Sequence, residues 1–157
     1  VEVRLDREAI LLAPLEVLAR SERDAHPVLS GFQHRLDRGT GVYITRDQIE
    51  RRRPMYVTDL LRDIPGVHLT SSGTGARRTI AMNRGTRQSC PVQLFVDGVL
   101  VTVPGSAEPG GPRIDEYADP LSLEGIEVYH GLSTVPPEFL TPDAECGVVV
   151  LWTRRGI

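Results

Sequence analysis

The chain has 157 residues, 40% hydrophobic and 25% charged, enough for one domain with a real core. A net charge of −3 and a pI of about 5.8 exclude non-specific nucleic-acid binding, which needs a basic face to displace counterions. No stretch approaches the roughly 20 apolar residues of a membrane-spanning helix, no signal peptide opens the chain, and Val1 in place of methionine argues that residue 1 is not the translated start.

In chain order, residues 1–5 alternate apolar and charged and read as a short strand. Residues 11–18 are apolar and broken by Pro14. Residues 20–41 hold Pro27, three glycines and mixed charge with no clear period, which predicts an extended linker. The chain thus divides into an N-terminal strand and arm over 1–41 and a folded domain over 42–157. Order resumes at Val42, Tyr43 and Ile44. Thr45, Arg46, Asp47 and Gln48 fit a capping box that opens a short helix to about Arg52, with Pro54 ending it. The run Arg51, Arg52 and Arg53 reads as a solvated helix end. Val57, Leu60, Leu61 and Ile64 stand at i, i+3, i+4 and i+7, the apolar stripe of a second helix. Pro65 and Gly66 stop it.

From there the signal is β. Strands are predicted over 67–70 and 79–82, with a Ser/Gly/Thr loop over 71–75 between them. The apolar runs 92–96 and 99–103 flank Asp97 and Gly98, the strongest short hairpin signal, because a type I′ turn needs positive φ at both positions. Residues 104–112 are rich in Gly and Pro and form a loop. A strand follows over 126–129, then a helical start over 135–139 with Pro in its first turn. The run 148–152 reads as a buried strand. Irregular alternation of helices and strands gives a small mixed α/β or α+β domain, and the expected class is α+β, a small mixed β-sheet with short helices.

Catalytic constellations are absent from the pattern. Ser106 and Ser133 sit in no GxSxG elbow, no GxxxxGK[ST] loop occurs, and His26, His34, His68 and His130 lack HExxH or HxH spacing. The carboxylates Asp59, Asp63, Asp97, Asp115, Glu116, Glu124, Glu127 and Glu138 fit helix starts, turns and exposed strands. An enzyme is the least supported class, and no cofactor or metal site is expected. Cys90 and Cys146 form no CxxC or CxxH pair. In the cytosol they read as two buried thiols; in an exported protein, as one disulfide worth about 4 kcal/mol in the chain-entropy model.

Five motifs in order carry a resemblance: ITRDQIERRRPMYVTDLLRDIPGVHL, RTIAMNRG, PVQLFVDGVLV, LEGIEVYHGLSTVPPEF and CGVVVLWTRRG. Together they resemble the plug domain of TonB-dependent outer-membrane receptors over residues 42–156. More loosely, LEVLAR resembles the energy-coupling segment upstream of such plugs, without its usual Thr-Val-x-Ala form. The first strand is similar to the end of a small β-sandwich that sometimes precedes them.

The resemblance implies a plug-like fold and an exported, periplasm-facing protein peripheral to a membrane, in which Cys90 and Cys146 pair. In the family the plug fills a β-barrel that needs about 22 strands of some ten residues each, and nothing in this sequence supplies one. The leading expectation is therefore a non-enzymatic structural or interaction subunit docked on a membrane protein complex. The alternative is the gate domain of a receptor for ligand uptake, located at the outer membrane. Admissible hosts are an outer-membrane barrel, a secretion complex, and a photosynthetic or respiratory complex with a periplasmic face. Candidate partner contacts are Arg84 and Arg87, which suit bidentate pairs with carboxylates. Pro104, Pro109 and Pro112 of the loop join them, with Pro136, Pro137 and Phe139 of the STVPPEF corner.

Overall fold

The computed structural model describes residues 27–71, 78–102 and 111–154, without the side chains of 27–29, 87 and 88. The predicted first strand, the apolar run 11–18, residues 72–75 and the 104–110 loop lie outside the described residues.

Among the described residues, three helices, α1 (Pro27–Arg38), α2 (Arg46–Arg52) and α3 (Val57–Leu61), accompany eight strands. The strands are β1 (Val42–Thr45), β2 (Val67–Ser71), β3 (Arg78–Arg84), β4 (Arg87–Pro91), β5 (Gln93–Val96), β6 (Val99–Leu100), β7 (Leu123–Tyr129) and β8 (Val148–Thr153). A five-stranded sheet runs in the order β1-β7-β8-β5-β6, and a three-stranded antiparallel sheet in the order β2-β3-β4. All neighbours in the larger sheet are antiparallel except β5 and β8, which run parallel. The fold is the expected α+β mixture.

Local chemistry explains the element ends. The Thr45 amide donates to Gln48 Oε1 at 2.9 Å, half of the predicted capping box. Asp97 and Gly98 take φ of 49° and 82°, so the hairpin turn forms as the dipeptide predicts. The Asp97 carboxylate also accepts from the Thr153 amide at 2.6 Å and the Thr153 hydroxyl at 2.7 Å, which ties the turn to the end of β8.

The larger sheet is covered on both faces. Along β8, Val149 and Leu151 face one side; Val148, Val150 and Trp152 face the other. The first side packs on α2, α3 and the smaller sheet through Ile49, Val57, Leu60, Leu61, Ile80 and Met82. The second side carries an aromatic layer of Phe32, Phe95, Tyr129, Phe139 and Trp152. Burial on both faces explains why 148–152 is an unbroken apolar run.

The linker expected over 20–41 is corrected in part: Pro27–Arg38 is helical. Its Phe32 ring lies against Gly125 of β7, where an added Cβ would sit 2.8 Å from Phe32 Cζ. The helix forms because tertiary contact supplies what local propensity does not. β4 is likewise a strand that the sequence pattern did not mark.

Candidate functional site

The most polar buried site lies under α1. Glu127 projects from the middle of β7 with 0% exposure. A lone carboxylate there needs full compensation, and it has it. Arg35 approaches as a fork, Nε to Oε2 at 2.9 Å and Nη2 to Oε1 at 2.7 Å. Trp152 Nε1 donates to Oε1 at 2.6 Å, and the Tyr129 hydroxyl donates to Oε2. Tyr43 extends the network to the Tyr129 oxygen at 3.3 Å.

Arg35 itself is fixed from three sides. Its Nη1 donates to Glu138, and its guanidinium stacks 5.2 Å from the Phe139 ring centre and 5.5 Å from that of Trp152. Burial alone would lower the Arg35 pKa, but the Glu127 hydrogen bond and charge outweigh it and raise the value. Burial, then the bond to Glu127, pushes the Tyr129 phenol far above its ordinary 10.0. The cluster is therefore an ion pair with neutral donors, every member satisfied.

A second charged knot holds α3. Asp115 accepts from the Thr58 amide at 2.9 Å and the Thr58 hydroxyl at 2.8 Å. Asp59 accepts from Arg78 at 2.8 Å, Arg62 at 3.0 Å and the Tyr56 amide at 3.0 Å. Burial alone would raise the Asp59 pKa, but these bonds, that of Arg78 foremost, hold it below the usual 3.8.

Cys90 of β4 and Cys146, just before β8, are joined as a disulfide, with Cα atoms 5.2 Å apart. The bond links the two sheets. Arg84 is exposed and donates to the Glu145 carbonyl beside that bond. The Arg87 backbone lies in β4, and its side chain, like Pro104 and Pro109, is outside the described residues. Pro112 is half-buried and accepts the Ile80 amide at 3.1 Å. Pro136 is half-buried and Pro137 exposed at the start of a 3-10 turn. Phe139, expected among the contacts, is instead 3% exposed in the aromatic layer. Among the described residues, the large apolar side chains that are exposed are Met55 and Tyr117, which share a groove of about 350 Å³ with Asp115, Glu116 and Asp119, and Val99, Leu121, Leu132 and Leu140.

Among the described residues, no group of three or more His, Cys, Asp or Glu is placed to hold a metal ion, and no helix is long and apolar enough to cross a membrane. Sequence reasoning missed the main site: Glu127 is one of two carboxylates in β7, with Glu124, and reads in the sequence as an exposed-strand residue. Its cation lies in a helix the pattern did not mark.

The fold has counterparts among known proteins. The family model for the TonB-dependent receptor plug domain matches residues 38–136, and the chain belongs to that family. It is a family of transport components found inside outer-membrane β-barrels. Among solved structures, a mutant ferric enterobactin receptor (PfeA) from Pseudomonas aeruginosa is 25% identical with a TM-score of 0.55, over 73% of this chain and 17% of that one. The siderophore receptor PirA from Pseudomonas aeruginosa is 27% identical with a TM-score of 0.50, over 74% of this chain and 18% of that one. The Serratia marcescens hemophore receptor HasR, at 20% identity, 73% and 16% coverage and a TM-score of 0.50, shares the fold. This chain spans about one sixth of the length of these receptors.

Proposed function

We propose that this plug domain is a periplasm-facing docking module, a non-enzymatic structural subunit seated on a membrane protein complex. One observation carries the reading. Two charged residues of its plug motifs, Arg84 of RTIAMNRG and Glu127 of LEGIEVYHG, are engaged by the chain's own Glu145 carbonyl and Arg35. A plug closed on itself in this way holds its shape without charges from a barrel wall. The same Arg35 fastens α1, the segment that leads into the plug, to the sheet. Exposed Leu132 and Leu140 flank the half-buried Pro136 and exposed Pro137, and form an apolar corner for a partner. The host is an outer-membrane barrel of another chain, a secretion complex, or a photosynthetic or respiratory complex.

A second reading has its own support. The ferric enterobactin and siderophore receptors at 25% and 27% identity favour a gate inside a barrel of the same polypeptide, opened for ligand uptake.

Capture of the native protein from solubilised source membranes with an antibody to this domain separates the two. A polypeptide near 17.3 kDa with stoichiometric membrane partners supports the docking module. A polypeptide several times that mass, carrying its own barrel, supports the gate.

A further inference from the structure

We propose that the outer edge of β2 is a docking groove for an extended, acidic segment of another protein, which joins the three-stranded sheet as a fourth strand. This deepens the docking reading above, but its test uses peptides and is blind to any host complex, so the two fail separately.

β2 pairs with β3 on one side and with no described strand on the other. Ile80 stands opposite Leu69 and gives its amide to the Pro112 carbonyl, away from β2. Leu69 and Ile80 are therefore a pair that exchanges no backbone hydrogen bonds, and the Leu69 N–H and C=O point outward. By the same alternation, so do those of Ser71 and the Val67 carbonyl. The Val67 amide is already taken by the Ile64 carbonyl at 3.1 Å. A groove of about 340 Å³ runs along this edge, lined by Arg62, Val67, His68, Leu69, Ser71 and Arg78. Its strand residues include all three with outward backbone groups, 67, 69 and 71.

The edge lacks the usual protection. Native edge strands carry Pro, charged side chains or bulges that discourage pairing. β4, at the other edge of the same sheet, contains Pro91 and faces a register shift in β3. β2, Val-His-Leu-Thr-Ser, has neither Pro nor a formal charge and keeps unbroken register over five residues.

The charge of the groove selects the occupant. Among the described residues, Arg62 and Arg78 share the carboxylate of Asp59, so the two cations face one anion there, with exposed His68 beside them. A second copy of the chain would bring the same sign to the same groove. A strand with carboxylates at alternate positions meets both demands: backbone bonds to 67, 69 and 71, and ion pairs to the arginines.

The test uses the full chain and two peptides of alternating pattern, Ac-VDVDVDV-NH2 and Ac-VKVKVKV-NH2, with amide exchange as the readout. The acidic peptide is expected to slow exchange at Leu69 and Ser71 on the order of tenfold, and the lysine peptide to leave both unchanged. Leu69→Pro removes an outward N–H and leaves the β3 ladder intact; it is expected to abolish the protection at Ser71. Arg62→Glu is expected to weaken peptide binding by about tenfold, and it decides the matter alone if Leu69→Pro does not fold. Absence of protection, equal protection by both peptides, or protection that survives Leu69→Pro overturns the proposal. A concentration-dependent dimer abolished by Leu69→Pro also overturns it, in favour of self-pairing.

Discussion

Arg35 of α1 and Glu127 of β7 lie 92 residues apart in sequence and meet through a two-bond ion pair on a carboxylate with 0% exposure. The pair makes α1 part of the domain core. A twelve-residue helix is marginal in water by itself. Here it is held by Arg35, by Phe32 in the aromatic layer and by Leu36 packed against it.

Arg35→Met leaves Glu127 buried without its cation. Breaking one half of a buried ion pair costs about 3–5 kcal/mol, so urea unfolding should show a loss of that size. The double variant Arg35→Met, Glu127→Gln removes the uncompensated charge and should recover part of it. Equal losses in the single and double variants would show that packing, not charge, sets the cost.

Tyr129 adds an alkaline dependence. Its folded pKa lies above the ordinary 10.0 because of burial and the bond to Glu127. Below pH 10 the phenol is neutral in both states and its contribution is fully present. Above pH 10 the unfolded chain loses the proton and the folded chain keeps it, so stability falls as pH rises. Denaturation followed from pH 9 to pH 11 should show this slope, and Tyr129→Phe should flatten it.

Asp59 acts at the other end of the scale. Its folded pKa lies below 3.8, so the folded state releases the proton more readily than the unfolded one. The stability it contributes is present above pH 3.8 and is lost as pH falls through the lower folded value. Asp59→Asn should remove that acid-side component and, through Arg78 and Arg62, loosen the start of β3.

The Cys90–Cys146 bond closes a separation of 56 residues. In the chain-entropy model such a loop is worth about 4 kcal/mol. Cys90→Ser with Cys146→Ser should lower the unfolding free energy by that order, and the oxidised protein should take up no alkylating reagent until it is unfolded and reduced.

Much of this fold was legible in the sequence because local and tertiary preferences agree. The stripe Val57, Leu60, Leu61 and Ile64 is both the helix pattern and the buried face of α3 and the turn after it. Asp97 and Gly98 dictate their hairpin by backbone conformation alone. β4, Arg-Gln-Ser-Cys-Pro, was not legible, since it has no apolar alternation and exists through pairing with β3 and the disulfide. α1 was not legible because Pro27, Gly31 and mixed charges mask the apolar pair Phe32 and Leu36, and its decisive contact is with a residue far along the chain. Glu127 was not legible as a site: it read as one more strand carboxylate beside Glu124, and only the fold buries it and names Arg35 as its partner. Of the surface contacts expected from Pro and Arg, Phe139 went to the core instead, because its ring completes the aromatic layer.

The most direct test of a self-contained plug is amide exchange along α1 in the full 157-residue chain. If Arg35 and Glu127 lock the helix to the sheet, amides at 35–38 should exchange with protection close to that of β7 and β8, set by global unfolding. Exchange at α1 near the rate of an unstructured peptide, while β7 and β8 stay protected, would contradict the account: the helix would be a detachable arm and the plug would not be closed on itself.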